Sequence, residues 1–254
     1  MWSRTELKYN AKSALRNYFG KGLAVFAIMI AISYFARRVY NAIKSIIDLS
    51  RYYIEHGSYS QSQENALTIQ VIAFYVFLLV AYMAYRYFIF QPLQVGAVRF
   101  YQKSRGIPTS VSEMFSLFKN APHIAFTTFL VMLKTLLWTL VFIVPGIIKA
   151  YEYYMVPYII AENPKISTQR AFEISKAMTD GHKWDLFVLE LSFILWYLGI
   201  VCTCGLLAIY AGPYICATNV EAYYRLKSEA VSKGDISLDE LPDVCIPQTA
   251  PNFV

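Results

Sequence analysis

Four ionisable residues stand inside or beside apolar stretches of this 254-residue chain: Arg86, Lys134, Glu152 and Glu190. An ion in hydrocarbon costs about 2.5–3.5 kcal/mol on insertion scales, so such residues face a bundle interior and find partners there. Depth selects the partners. Arg86 lies six residues before Pro92 and Glu190 five residues after Asp185. At the helical rise these are about 9 and 7.5 Å from the same side, which predicts an Arg86–Glu190 pair. Lys134, about 18 Å deep by the same measure, is the alternative partner. The alternative to pairing is that Arg86 and Glu190 each snorkel separately to the headgroups.

A second set, His182, Lys183, Trp184 and Asp185, has the residue types of a membrane–water interface. His182 and Asp185 are one helical turn apart, the spacing of an acid/base pair; a helix cap at the interface is the commoner origin of this pattern. Tyr151, Tyr153, Tyr154 and Tyr158 crowd one segment. They fit the wall of a ligand site, or, as is commoner, an aromatic belt. The chain has no P-loop, G-x-G-x-x-G, H-E-x-x-H or G-x-S-x-G motif. Its three His are scattered, and none of its four Cys has zinc-ligand spacing. No catalytic residue, cofactor or metal is expected, and the chain reads as non-enzymatic.

The elements that hold these residues follow from composition. Hydrophobic residues make up 57% of the chain, aromatic residues 17% and charged residues 16%. Soluble domains have about 45–50% apolar and about 25% charged residues. The net charge of +6 is not gathered on one domain, so nucleic acid is not an expected partner. It gathers at the ends of apolar runs, as in multi-pass membrane proteins.

The clearest crossing is 66–90, whose first 20 residues carry no charge. Others are 22–36, 122–144 and the run 185–219, which suits two crossings folded back at 202–205. The segment 147–161 is short and contains Pro157; it either crosses with a kink or is re-entrant. In the run that follows, Ala208, Gly212 and Cys216 recur every four residues, a small-residue strip for close helix packing.

Three polar segments precede the apolar ones. In 3–19, Leu7, Ala11, Ala14, Leu15 and Tyr18 form an apolar stripe among Lys8, Lys12 and Arg16. Such a helix fits the headgroup region. Ser3 and Glu6, and Ser110 and Glu113, have capping-box spacing. Ser3 and Lys12, Ser110 and Lys119, and Ser167 and Lys176 are each nine residues apart. The expected architecture is therefore all-α: a polytopic bundle of about six spans with short interfacial amphipathic helices, arranged as three helix-plus-hairpin units. A single membrane domain over 1–228 is expected to end in a polar, acidic, disordered tail, 229–254.

Sixteen of the 23 Lys and Arg fall on the amino-terminal flank, in 94–122, in 162–185 and after the last apolar run. By the positive-inside rule both termini are cytoplasmic.

The stretches YEYYMVPYIIAENPKIS, AFEISKAMTDGHKWDLFVLELSFILW and GPYICATNVEAYYRL resemble a bacterial family of uncharacterised integral membrane proteins, a domain-of-unknown-function family. The likeness runs along nearly the whole chain and is strongest over 151–226. It implies a multi-pass protein of the bacterial plasma membrane and brings no activity or functional residue. Two functions fit. One is binding of lipid or protein partners through a basic cytoplasmic face, with anionic headgroups and a membrane-protein partner as the ligands. The other is transport, or an accessory role in transport, of a small solute or lipid through a polar site inside the bundle.

Overall fold

The computed structural model describes residues 3–57 and 59–242. Among them every regular element is helical. Helix α1, Arg4–His56, runs for 53 residues, about 80 Å at the helical rise. Its one non-helical residue is Tyr18 (φ −132°), which separates the amphipathic start from the apolar remainder. After a short link, α2 (Gln61–Tyr85) begins at a capping box made by Ser60 and Gln63. Ser3, by contrast, makes no side-chain cap.

Pro92 does not end this second helix. One π-helical turn, Arg86–Phe90, joins α2 to α3, Gln91–Ser104, with Pro92 in the first turn of α3. The Gln91 amide donates to the Arg86 carbonyl across five residues. The wider turn opens the backbone where proline supplies no N–H.

A 3₁₀ helix, Val111–Asn120, leads into α4, Ala121–Val141. Short helices follow: α5 (Ile143–Glu152), α6 (Val156–Glu162) and α7 (Thr168–Thr179). Next come α8 (Lys183–Leu191) and α9 (Ile194–Cys202), then α10 (Ala208–Ser232). The fold-back expected at 202–205 is present: Cys204 (φ 51°) and Gly205 (φ 92°) take left-handed conformations between α9 and α10.

Four segments are long and apolar enough to cross a membrane: Arg4–His56, Gln61–Ser104, Val111–Val141 and Lys183–Cys202. The two remaining segments of the expected six are short or mixed. The 147–161 region is split into α5 and α6 by the turn at 153–155. The apolar start of α10 continues into a polar half within the same helix. The three segments expected to repeat take different forms: the start of a 53-residue helix, a 3₁₀ helix and a separate α-helix.

The amphipathic segments do not present their apolar faces to headgroups. Leu7, Ala11, Leu15 and Tyr18 are buried within the protein, the last three in one cluster with Phe100, Tyr101 and Met114. On α7, Ala171, Phe172, Ile174 and Met178 join a second cluster with Ile159, Ile160, Leu186 and Tyr223. Neighbouring helices offer these faces a dry partner, and burying them there removes them from water as lipid would.

The expected tail also needs correction. Residues 229–232 complete α10, and the following segment is docked, with Ile236 and Leu241 buried. Asn163 donates to the Glu240 carbonyl at 2.9 Å. Arg170 holds the Glu240 carboxylate through Nε and Nη2 at 2.8 and 2.9 Å. This bidentate bond holds Glu240 below the usual carboxylate range and raises Arg170. Two apolar anchors and one arginine fork outweigh the acidic composition. The rest of the expected tail, 243–254 with Cys245, lies outside the described residues.

Candidate functional site: a cavity between two charged walls

A cavity of about 700 Å³ lies where the helices converge. Its walls come from α1 (Phe26), the π turn (Arg86), α3, α4 and the α5–α6 region. The walls are completed by α8 (Glu190), α9 (Tyr197) and α10 (Asn219). The volume is within the range of about 300–1,000 Å³ typical of small-molecule sites.

Glu190 is held on one wall. The Tyr154 hydroxyl donates to its Oε1 at 2.5 Å. Asn219 Nδ2 lies 3.1 Å from the Tyr154 oxygen and 3.5 Å from the same carboxylate oxygen. A carboxylate only accepts, so the amide must turn its nitrogen toward Glu190 and its oxygen away. That oxygen, Asn219 Oδ1, is buried and has no hydrogen-bond partner among the described residues.

Arg86 lines the same cavity, with its guanidinium 4.8 Å from the centre of the Phe90 ring. Its Nη1 is buried without a hydrogen-bond partner among the described residues. The expected Arg86–Glu190 pair is therefore not formed. Both residues line the same cavity, but each is occupied on its own wall: Glu190 by Tyr154 and Asn219, Arg86 by Phe90.

Lys134 and Glu152 belong to a different site, a groove of about 600 Å³ between α4, α5 and α7. Glu152 receives Lys149 at 2.8 Å and Lys183 at 3.5 Å. Its carbonyl accepts the Ser175 hydroxyl at 2.7 Å, tying α5 to α7. Lys134 sits over the Phe172 ring, 4.0 Å from its centre, rather than near Glu190. Aromatic faces attract an ammonium, and the contact needs no carboxylate.

His182 is the N-cap residue of α8. Its Nδ1 lies 3.2 Å from Asp185 and its Nε2 2.9 Å from Glu229 on α10. The bonds to Lys233 and then to His182 pull the Glu229 carboxyl down to about 2. His182 thus ties α8 to α10. Trp184 is exposed beside Phe187. Of the tyrosine cluster, Tyr153, Tyr154 and Tyr158 line the cavity rather than forming only a belt, while Tyr151 is tilted against Tyr154 and meets Phe187 edge-on.

Sequence reasoning missed Asn219. It weighed only charged residues in the run 185–219, and a neutral amide closes that run. A search for uncharged polar residues at the ends of apolar stretches would have found it.

No curated protein and no solved structure matches the chain. Residues 107–230, just under half of the chain, match the family model described as "Protein of unknown function (DUF975)". The matched segment holds Tyr154, Glu190 and Asn219 but not Arg86. Through it, the resemblance seen in the sequence is to this uncharacterised family.

Proposed function

We propose that the protein is a multi-pass membrane protein that binds a small polar-ended molecule in the cavity between Arg86 and Glu190. It would serve as a carrier, or as a binding subunit of one, without enzymatic activity. One observation carries this reading: two residues of opposite charge line one cavity without pairing with each other, and among the described residues Arg86 Nη1 has no hydrogen-bond partner. Intramembrane charges of this kind normally find partners, and an external ligand completes the set.

The location we propose is a bacterial plasma membrane, with both termini cytoplasmic and six crossings. The α5–α6 pair and the first half of α10 would return the chain after α4 and α9. Two contacts support this. Arg99 on α3 donates to the Ala161 carbonyl at the end of α6 at 2.7 Å, bringing two Lys/Arg-rich ends together. Gly212 packs against Phe26 of α1, while Leu7 clusters with Ala222, Leu226 and Ala230, so α10 runs antiparallel to α1. Reporter fusions after Gly57, Pro108 and Val254 should read outside, inside and inside; an outside carboxyl terminus would overturn the arrangement.

The basic-face reading keeps one support. Arg4, Lys12 and Arg16 are exposed and have no carboxylate within 4.0 Å among the described residues, whereas Arg99, Lys103, Arg105, Arg170 and Lys227 are spent on internal carboxylates. We assign this flank to contact with anionic headgroups, and the cavity to the principal function.

Cys216 lines the cavity and gives it a probe. In a variant with Ser at Cys202, Cys204 and Cys245, small thiol reagents should label Cys216 in vesicles. Ala150→Trp, which fills the cavity, should slow labelling at least tenfold while leaving the thermal unfolding midpoint within a few degrees. Unchanged labelling in the tryptophan variant would overturn the reading of an accessible cavity.

A further inference from the structure

We infer that the ligand of this cavity is a zwitterion, a molecule carrying both an ammonium and an anionic group. The inference rests on the cavity reading above and adds the hydrogen-bond polarity of its walls.

On the Glu190 wall the open group is an acceptor. Among the described residues only Tyr154 and Asn219 hydrogen-bond the Glu190 carboxylate, and both do so at Oε1. This leaves Oε2 without a hydrogen bond on a residue that lines the cavity. A carboxylate oxygen selects an N–H donor, and an ammonium satisfies it. On the Arg86 wall the group that lines the cavity is a guanidinium, a donor without acceptor capacity. It selects a carboxylate or phosphate oxygen.

Other occupants leave one wall unanswered. A simple anion neutralises Arg86 but faces the Glu190 carboxylate. A simple cation does the reverse. An apolar molecule answers neither wall, and buried polar groups left unpaired by a ligand count against its binding. Between the walls, Phe26, Met29, Val131 and Met132 provide an apolar lining for the rest of the molecule.

This chemistry has two sources: a free α-amino acid and the headgroup of an ethanolamine phospholipid. Both join an ammonium to an acid through a short linker. A test separates them using protection of Cys216 from alkylation. In nanodiscs of phosphatidylcholine and phosphatidylglycerol, a panel of apolar amino acids is added, with their N-acetyl forms and methyl esters as single-charge controls. In a parallel series, phosphatidylethanolamine replaces the phosphatidylcholine, whose quaternary nitrogen has no N–H.

We expect protection by the zwitterion in one series, with single-charge or N–H-free analogues at least tenfold weaker. Protection by amino acids assigns a solute, and protection by phosphatidylethanolamine assigns a lipid headgroup. Glu190→Gln should erase the preference for a free ammonium, and Arg86→Gln the preference for a free anion, each change leaving the other preference intact. Equal protection by an amino acid and its N-acetyl form or ester, or equal protection by the two phospholipids, would overturn the zwitterion and leave an accessible cavity. Protection by no member of either series would overturn the zwitterion too. Slow labelling by Ala150→Trp would then still support the cavity, and unchanged labelling would remove it.

Discussion

Around Glu162 the molecule is packed like a soluble domain. The Glu162 carboxylate is fully buried, accepts the Tyr223 hydroxyl, and meets Lys227 Nζ at 2.6 Å, while Lys227 also donates to the Leu241 carbonyl at 3.0 Å. In α2 and α9, by contrast, no residue is buried, and Leu195 and Val201 are 75% and 76% exposed. Both regions are helical and both are rich in large side chains. They differ in what excludes water. At the Lys/Arg-rich end, protein covers protein, and ions are paired with ions. Along α2 and α9 no described part of the chain covers the apolar surface, and both lie in segments long and apolar enough to cross a membrane. Burial within the chain is thus a poor guide to the importance of a residue in the second region and a good one in the first.

The largest effect should come from breaking the buried pair. Lys227→Met removes a buried cation from Glu162 and should cost about 3–5 kcal/mol. Replacing both residues with Met should recover much of this, since an apolar pair of similar volume avoids the desolvation of two ions. Thermal unfolding in detergent micelles reads both. In the other region, Val201→Ala should stay within about 0.5 kcal/mol in the same assay. Equal losses at the two positions would erase the distinction.

Gly96 offers the next test. A Cβ there would stand 1.9 Å from the Met114 carbonyl oxygen, a backbone atom of the 3₁₀ helix that cannot swing away. Gly96→Ala should therefore destabilise by about 3 kcal/mol, the upper end of ordinary overpacking. At Gly212 the obstacle is the Phe26 ring, about 2.0 Å from the built Cβ. A ring can rotate aside, so Gly212→Leu should cost about 1 kcal/mol, and more than Leu207→Ala. A Gly212 effect exceeding that of Gly96 would mean that α1 and α10 are held more rigidly than the α3 packing.

The smallest effect concerns pH. The Glu229 carboxyl, held at about 2 by Lys233 and His182, binds its proton less readily folded than unfolded, where the ordinary value is 4.5. Its contribution to stability is complete above pH 4.5 and is lost as pH falls toward 2. Glu229→Gln should thus flatten part of the acid-side decline in the unfolding midpoint. An unchanged decline would show that this partly exposed contact adds nothing to holding α8 on α10.

Much of the plan was legible in the residues. The lack of charge in 66–85 announces a crossing, Tyr18 closes an amphipathic stripe, and Cys204 and Gly205 make a turn between two apolar stretches. Helical rise predicted one level for Arg86 and Glu190, and both line one cavity. The azimuth of each side chain was not legible, because it depends on how helices rotate against their neighbours. The Arg86–Glu190 pair therefore failed, and Lys134 turned to Phe172. The docked segment up to Leu241 was missed because acids and prolines outnumber its two anchoring apolar residues.

By itself, then, the sequence determined the helical class, the apolar lengths, the bias of Lys and Arg and the small residue at Gly212. These are properties of one helix and its solvent, set by periodicity and transfer free energy. Only the tertiary structure decided which cations are neutralised, that the amphipathic faces turn inward to protein, and that Tyr154, Asn219 and Glu190 meet across three separate segments. Those outcomes depend on contacts between residues as far as 116 positions apart, as Arg105 is from Glu221. Hydrogen bonds at such range are fixed by helix packing, which no local pattern encodes.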